Sequence, residues 1–241
     1  MDGLIILRGM TFRGKGAYSR IVTTDHETCK IQFEASASHL KLIENLASQG
    51  HNIHVAFDTI TTDQTQNLLS MFGSYLKVVS TKSVMDPEVH FALRRSIYGI
   101  MPLIVYSKYD FVLIIRNDMF LKDDFFKVFN PCDDIVKFIS VQSYDDRKTI
   151  KNNPRINDCI FYVPNRYFEL LEIFPTDVGN DHHHMLDIWL KEQPNLEYGF
   201  YLDGYHGANT ETDRNPLYKL INRPEADSPL KGHDLKYPED F

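Results

Sequence analysis

The chain opens on a short apolar run, Leu4 to Leu7 within GLIILRG (3–9), that stops at Arg8 and Gly9 before the polar, glycine-containing loop TFRGKGAYSR. Short apolar runs bounded in this way suit strands covered on both faces, as in parallel α/β sheets. The period then changes. Over 35–49, Leu40, Ile43, Leu46 and Ala47 recur at helical spacing, with Ser36 or Ser38 able to cap the start and Gly50 just past the end. NIHVAFD (52–58) is the next strand and ends in Asp58, so this β-α-β unit delivers Arg8 and Asp58 to one edge of a sheet. A helix over 62–73 and a strand over 75–80 follow, and 88–109 is mostly helical in pattern, with kink positions at Gly99 and Pro102. The apolar run Phe111 to Ile115 ends in Arg116, Asn117 and Asp118 rather than in a turn. An arginine and a carboxylate there sit at the strand end where open α/β sheets bind their ligands.

Beyond Asp118 the elements are shorter. The pattern predicts a helix over 123–129, strands over 134–142 and 156–164, helices over 165–174 and 181–192, a strand within LEYGFYLDG, and a tail after Arg223 that is mostly loop. No internal repeat and no Gly/Ser- or Pro-rich linker divides the chain. It reads as one α/β domain over 1–241, with a nucleotide-binding-like αβ half (1–118) followed by a mixed, loop-rich half (119–241).

Composition narrows the class. With 241 residues and 43% hydrophobic, the chain can bury a sizeable core and is not disordered. A net charge of −7 argues against a general nucleic-acid binder and leaves room for a local basic pocket. Cys29, Cys132 and Cys159 are odd in number and widely spaced, which fits neither a disulfide framework nor a cysteine zinc site. The apolar run near the start is too short for a signal segment, and no stretch reaches the roughly 18 apolar residues of a membrane span. The expectation is a soluble, cytoplasmic protein.

Five stretches carry a resemblance: LIILRG, the segment with Arg94 and Arg95, YDFVLIIRNDMFLK, RINDCIFYVP and NDHHHMLDIWL, which together span about 3–192. In order and spacing the chain resembles small GT-A type glycosyltransferases of the large-DNA-virus and capsular-polysaccharide-like kind, whose signature strand reads roughly YDxVxxxRxD. The resemblance implies a single GT-A-like domain with a mixed, mostly parallel central sheet flanked by helices. It also implies a nucleotide-sugar donor, a glycan acceptor, Mn²⁺ or Mg²⁺, and a cytoplasmic location, that of the host for a viral chain. Arg8, Asp58, Arg94, Arg95, Arg116 and Asn117 are its expected nucleotide-sugar contacts, Asp118 and His206 its expected metal ligands, and Asp181 its expected catalytic base in an inverting reaction. One departure bears on the metal: the family's Asp-x-Asp is Arg116-Asn117-Asp118 here, with one carboxylate in place.

The chemistry leaves alternatives at each position. A departing nucleoside diphosphate needs about two negative charges offset, by a divalent cation or by arginines. Strand alternation puts Arg116 and Asp118 on one face, as a donor site or as a structural pair. Arg13 and Lys15 are loop cations that either reach the nucleotide or are solvated. Arg94 and Arg95 are adjacent on a helix, about 100° apart, so one of them faces solvent. Asp181 precedes a helix and fits an N-cap as well as a base. Asp158 is the second base candidate, because a carboxylate in an apolar run is costly unless paired or functional. His182, His183 and His184 point in three directions and cannot share one ion. Tyr198, Phe200, Tyr201 and Tyr205 suit stacking on a sugar or packing in the core. The alternative function is a non-catalytic nucleotide- or glycan-binding domain on the same fold.

Overall fold

The computed structural model describes residues 1–14, 21–82, 100, 103, 105–142, 156–157, 159–172, 190–203, 205–206 and 215–221. Its centre is a seven-stranded sheet. Strands β1 (Asp2–Arg8), β2 (Asn52–Ile60), β3 (Leu76–Lys82) and β4 (Phe111–Arg116) are mutually parallel in the order β3-β2-β1-β4. The next three strands among the described residues are short: β5 (Met119–Leu121), β6 (Val136–Phe138) and β7 (Val141–Gln142). The sheet continues from β4 through the antiparallel β8 (Ile160–Pro164) to β6 and then β9 (Tyr198–Phe200), which runs parallel to β6. Small two-stranded sheets pair β7 with β10 (Tyr205–His206) and β5 with β11 (Tyr218–Leu220).

The apolar alternation along the strands divides the core between two faces. Ile5, Leu7, Phe57, Phe111, Leu113, Ile115 and Tyr162 pack on one side with Leu42, Ile43 and Leu46 of helix α1 (His26–Ser48). Two short helices follow in the chain, α2 (Thr65–Ser70) and α3 (Asp123–Val128), and α3 adds Phe125 to the same face. On the opposite side, Leu4, Ile6, Val112, Ile114, Phe138 and Phe161 pack with Leu170 and Leu171 of α4 (Glu169–Glu172). Both faces of β1 and β4 are thus covered, which is why their sequences read as unbroken apolar runs. The mixed, mostly parallel sheet flanked by helices is the architecture the sequence predicts.

Several boundaries differ from the sequence pattern. Helix α1 starts at His26, nine residues ahead of the predicted start, because Asp25 supplies the cap: its Oδ1 accepts from the Thr28 backbone N–H at 2.8 Å. Ser36 and Ser38 are buried in the helix interior instead, and Ser38 Oγ accepts from the Leu121 backbone N–H at 2.9 Å, stitching α1 to β5. The predicted strand over 134–142 is two strands, since Val136–Phe138 pairs with β8 while Val141–Gln142 pairs with β10. Most of 88–109 and 181–192 lies outside the described residues.

The cap carries a testable consequence. The Thr28 backbone N–H, then the Thr23 and Thr28 side chains, hold the Asp25 carboxyl below its ordinary value. The depressed value means that the cap stabilises fully above pH 3.8 and is lost as pH falls below it. Asp25→Ala is expected to speed amide hydrogen exchange in the first turn of α1 at neutral pH, with no change at its C-terminal end. Equal exchange along the whole helix would show that Asp25 does not hold this end.

Candidate active site

Strand order reverses between β1 and β4: β2 and β3 lie to one side of β1, and β4 to the other. In open α/β sheets, the crevice beyond the carboxyl ends of the strands at such a reversal is where ligands bind. The register sets three charged residues in one row there, with Arg8 level with Asp58 on β2 and with Arg116 on β4. Neighbouring strands are about 4.8 Å apart, so the row is short enough for one ligand to span.

Asn117 locks these strand ends together. Its backbone N–H donates to the Arg8 carbonyl at 2.7 Å. Its Nδ2 donates to the carbonyls of Gly9 and Asp58 at 2.9 and 3.0 Å. Its own carbonyl accepts from Gln32 Nε2 at 3.0 Å, and Gln32 Oε1 accepts from the Phe12 N–H at 3.0 Å. One buried glutamine on α1 therefore holds both the loop after β1 and the loop after β4. Phe12, with its side chain fully buried, sits at φ 53, a strained conformation for a non-glycine residue, kept by its burial and by Gln32.

Asp118 and two arginines form the charged part of the site. Arg116 Nε and Nη2 donate to Asp118 Oδ1 and Oδ2 at 2.8 and 2.7 Å, a fork-to-carboxylate pair, and Arg13 Nη1 lies 3.5 Å from Oδ2. The Asp118 side chain is 5% exposed, whereas those of Arg13 and Arg116 keep 12% and 17%. Two guanidinium groups thus share one carboxylate, and theirs are the more open side chains. The sequence foresees the Arg116 and Asp118 juxtaposition; Arg13, one of two candidate loop cations, is the one the described residues bring into it.

Asp58 occupies the β2 end. It is fully buried, and among the described residues its carboxylate oxygens accept no hydrogen bond, with Lys82 Nζ of β3 3.5 Å from Oδ1. Thr11 and Thr59 pair through their hydroxyls at 2.7 Å beside it. Lys82 and Gln32 escape the sequence reading. The signal for Lys82 is a strand running two residues further than its apolar pattern, and for Gln32 a helix that begins before its apolar stripe.

The other predicted site residues are placed unevenly. Arg94, Arg95, Asp158 and Asp181 lie outside the described residues. His206 contributes backbone to β10, paired with Gln142, and its side chain lies outside the description. Tyr201 packs with Phe125 and Phe129, ring centroids 5.6 and 6.3 Å apart, and Phe200 with Phe138 at 6.3 Å. For these two aromatics, packing accounts for the positions.

A divalent cation fits these residues poorly. Among the described residues no group of three or more His, Cys, Asp or Glu side chains is gathered to hold one. Both Asp118 oxygens already face guanidinium N–H groups. A doubly charged ion about 4 Å from one guanidinium is opposed by about 8 kcal/mol at an effective dielectric constant of about 20.

His39 lies beneath the site on α1, fully buried, with the Asp118 charge and the Met119 backbone nearby. Burial pushes its pKa down to about 4, against smaller upward contributions from those two neighbours. The imidazole is thus buried neutral, and the unfolded chain takes up its proton first. Stability is fully present above about pH 6.5 and falls as pH drops toward 4. The expected loss across that window is about 3 kcal/mol, at 1.36 kcal/mol per pH unit. Urea unfolding at pH 7 and pH 4.5, on wild type and His39→Gln, checks it; an equal fall in the variant assigns the acid sensitivity to other groups.

No protein-family model matches the chain, and no curated protein matches it. Among solved structures, the T. maritima inositol-1-phosphate CTP transferase aligns over 92% of this chain and 89% of its own, at 13% identity and a TM-score of 0.53. A glycosyltransferase involved in glycosylation of the major capsid of PBCV-1 aligns over 91% and 92%, at 9% identity and a TM-score of 0.48. A mutant Drosophila β-1,4-galactosyltransferase 7 in complex with manganese, UDP-Gal and xylobiose aligns over 92% and 71%, at 10% identity and a TM-score of 0.46. At such identities likeness speaks for the fold alone, and the first match, together with the strand order, shows that this chain has a GT-A-like α/β fold.

Proposed function

We propose that the protein transfers a glycosyl group from a nucleotide-sugar donor to a hydroxyl of a glycan acceptor. The observation that carries this reading is the arginine-rich end of β1 and β4, with Arg13 and Arg116 braced on Asp118 and Arg8 in register beside Arg116. As the bond from the anomeric carbon to the diphosphate oxygen breaks, negative charge grows on the leaving phosphate. Fixed guanidinium groups in a site with little water stabilise that charge more than bulk solvent does. Asp58 supports a nucleoside subsite: among the described residues its buried oxygens accept no hydrogen bond, with Lys82 Nζ at 3.5 Å, and ribose hydroxyls or a base N–H would supply donors. Arg94 and Arg95 are proposed as further contacts to the donor.

In the inverting form of the reaction, a carboxylate takes the proton of the acceptor hydroxyl as that oxygen attacks the face opposite the leaving group. Asp181 is the first candidate for that base and Asp158 the second. Metal ligation by Asp118 and His206 is the competing account of how the diphosphate charge is met. No step here is routed through it, because the arginine fork occupies the carboxylate.

The test is a thermal-shift panel of UDP-, GDP-, CMP- and dTDP-linked sugars, followed by an assay for release of the free nucleotide. A donor at about a hundred times its Kd is expected to raise the melting temperature by about 5–10 °C, and release with acceptor present identifies the transferase. Stabilisation without release supports a binding domain instead. Pyrophosphate released from a nucleoside triphosphate and a sugar phosphate would replace glycosyl transfer with nucleotidyl transfer.

A further inference from the structure

A glycosyltransferase of this fold is expected to meet the diphosphate with a divalent cation held on carboxylates. In this chain the residue expected to hold it, Asp118, is already used: two of its contacts are the paired N–H groups of Arg116 at 2.8 and 2.7 Å, and the third is Arg13 Nη1 at 3.5 Å. The arginines come from different elements, Arg116 from the end of β4 and Arg13 from the loop after β1, and the carboxylate is what brings them together. Their side chains are more exposed than the carboxylate between them, so the positive groups rather than the acid are presented outward. The loop is fixed in turn by an antiparallel bridge from Arg13 to Val22 and by the Phe12 to Gln32 bond.

We infer that Asp118 is a positioning residue, that Arg13 and Arg116 form a guanidinium clasp for a diphosphate, and that this clasp binds its ligand without a divalent cation. Arg8, in register with Arg116, extends the clasp toward β1. A guanidinium presents several N–H donors in one plane and bonds phosphate oxygens in pairs, so two of them braced on one carboxylate satisfy a diphosphate that a cation would otherwise bridge. The nucleoside attached to that diphosphate rests on the proposed donor; the clasp does not.

Calorimetric titration of the 241-residue chain with inorganic pyrophosphate, and with UDP, GDP, CDP and dTDP, first in EDTA and then in Mg²⁺, separates the two. Pyrophosphate is expected to bind in EDTA with a Kd within about threefold of that in Mg²⁺. Arg116→Gln is expected to weaken it about tenfold or more, the loss of charge-assisted hydrogen bonds. Asp118→Asn, which keeps size but releases the brace, is expected to weaken binding about threefold to tenfold equally in EDTA and in Mg²⁺. Should Arg116→Gln fail to fold, Arg13→Gln serves, together with the weakening of wild-type binding as salt rises. Binding that appears only with Mg²⁺ and disappears in Asp118→Asn makes Asp118 a metal ligand and overturns the inference. Binding in EDTA that ignores the arginine substitutions overturns it too, as does the absence of pyrophosphate binding in either buffer. Pyrophosphate held in EDTA and lost in Arg116→Gln, with no nucleotide or nucleotide sugar bound, keeps the clasp and rejects the proposed donor.

Discussion

Replacing Arg116 by lysine is expected to lower turnover about a hundredfold, the effect of removing one fixed donor from a site where charge develops. The guanidinium uses Nε and Nη2 to grip the two Asp118 oxygens and turns Nη1, at its other edge, to the Cys159 sulfur 3.7 Å away. An ammonium is a single point of charge. It can pair with Asp118 or reach a phosphate oxygen, but it cannot hold the carboxylate with two parallel bonds while pointing a third donor elsewhere. The measurement is kcat and KM for the donor that stabilises the wild type, with melting temperatures of both proteins alongside. A rise in KM with kcat unchanged would move Arg116 from the group that meets developing charge to one that only binds the donor.

Asn117→Ala is expected to destabilise the fold by about 3 kcal/mol: the Gly9 carbonyl loses its side-chain donor, an unsatisfied group costing about 1–3 kcal/mol, while the Asp58 carbonyl loses one hydrogen bond, worth about 1 kcal/mol, and keeps the Gly9 backbone N–H at 3.0 Å. The carbonyls belong to Gly9 and Asp58, so the loss falls on the ends of β1 and β2 as well as on β4. For a chain of this size the melting temperature should drop by about 6–12 °C, at about 2–4 °C per kcal/mol. Denaturant unfolding measures the first figure and calorimetry the second. A loss below about 1 kcal/mol would mean that water or a neighbouring group satisfies the Gly9 carbonyl once the amide is gone. The sequence places Asn117 among the donor contacts. Its amide nitrogen is spent within the fold, and the atom still able to meet a ligand is Oδ1, buried and without a partner among the described residues.

These two neighbours show what a linear reading separates poorly. Strand alternation brings Arg116 and Asp118 together as the structure does, although β4 ends at Arg116, and Asn117 and Asp118 form a turn rather than the continued run that the sequence leads one to expect. It says nothing of what waits on each side. Gln32 of α1 stands on Asn117's side and the loop bearing Arg13 stands near Asp118, 85 and 105 positions away in sequence. Likewise Asp58 reads equally well as a turn residue or a nucleoside contact from its own segment. Its complete burial, with oxygens that accept no hydrogen bond among the described residues, separates it from an ordinary turn aspartate.

The boundaries that shifted did so for a common reason. An apolar stripe marks where a helix packs, not where it begins, so α1 extends back to the Asp25 cap across a first turn with little apolar character. The pattern over 134–142 is strand-like throughout, yet the chain passes from the main sheet to a second small sheet near Ser140. Local pattern specifies an extended backbone without naming its neighbour.

The sequence by itself determined the α/β class, the covered strands β1 and β4, and the delivery of Arg8, Asp58, Arg116 and Asp118 to strand ends, because burial and period are written residue by residue. The tertiary structure alone decided the strand order β3-β2-β1-β4-β8-β6-β9, and with it the switch point between β1 and β4. It also decided that Asp118 is gripped by arginines and that Asn117 is bonded inward. Such choices depend on contacts between segments far apart in the chain, whose geometry exists only once the sheet has assembled.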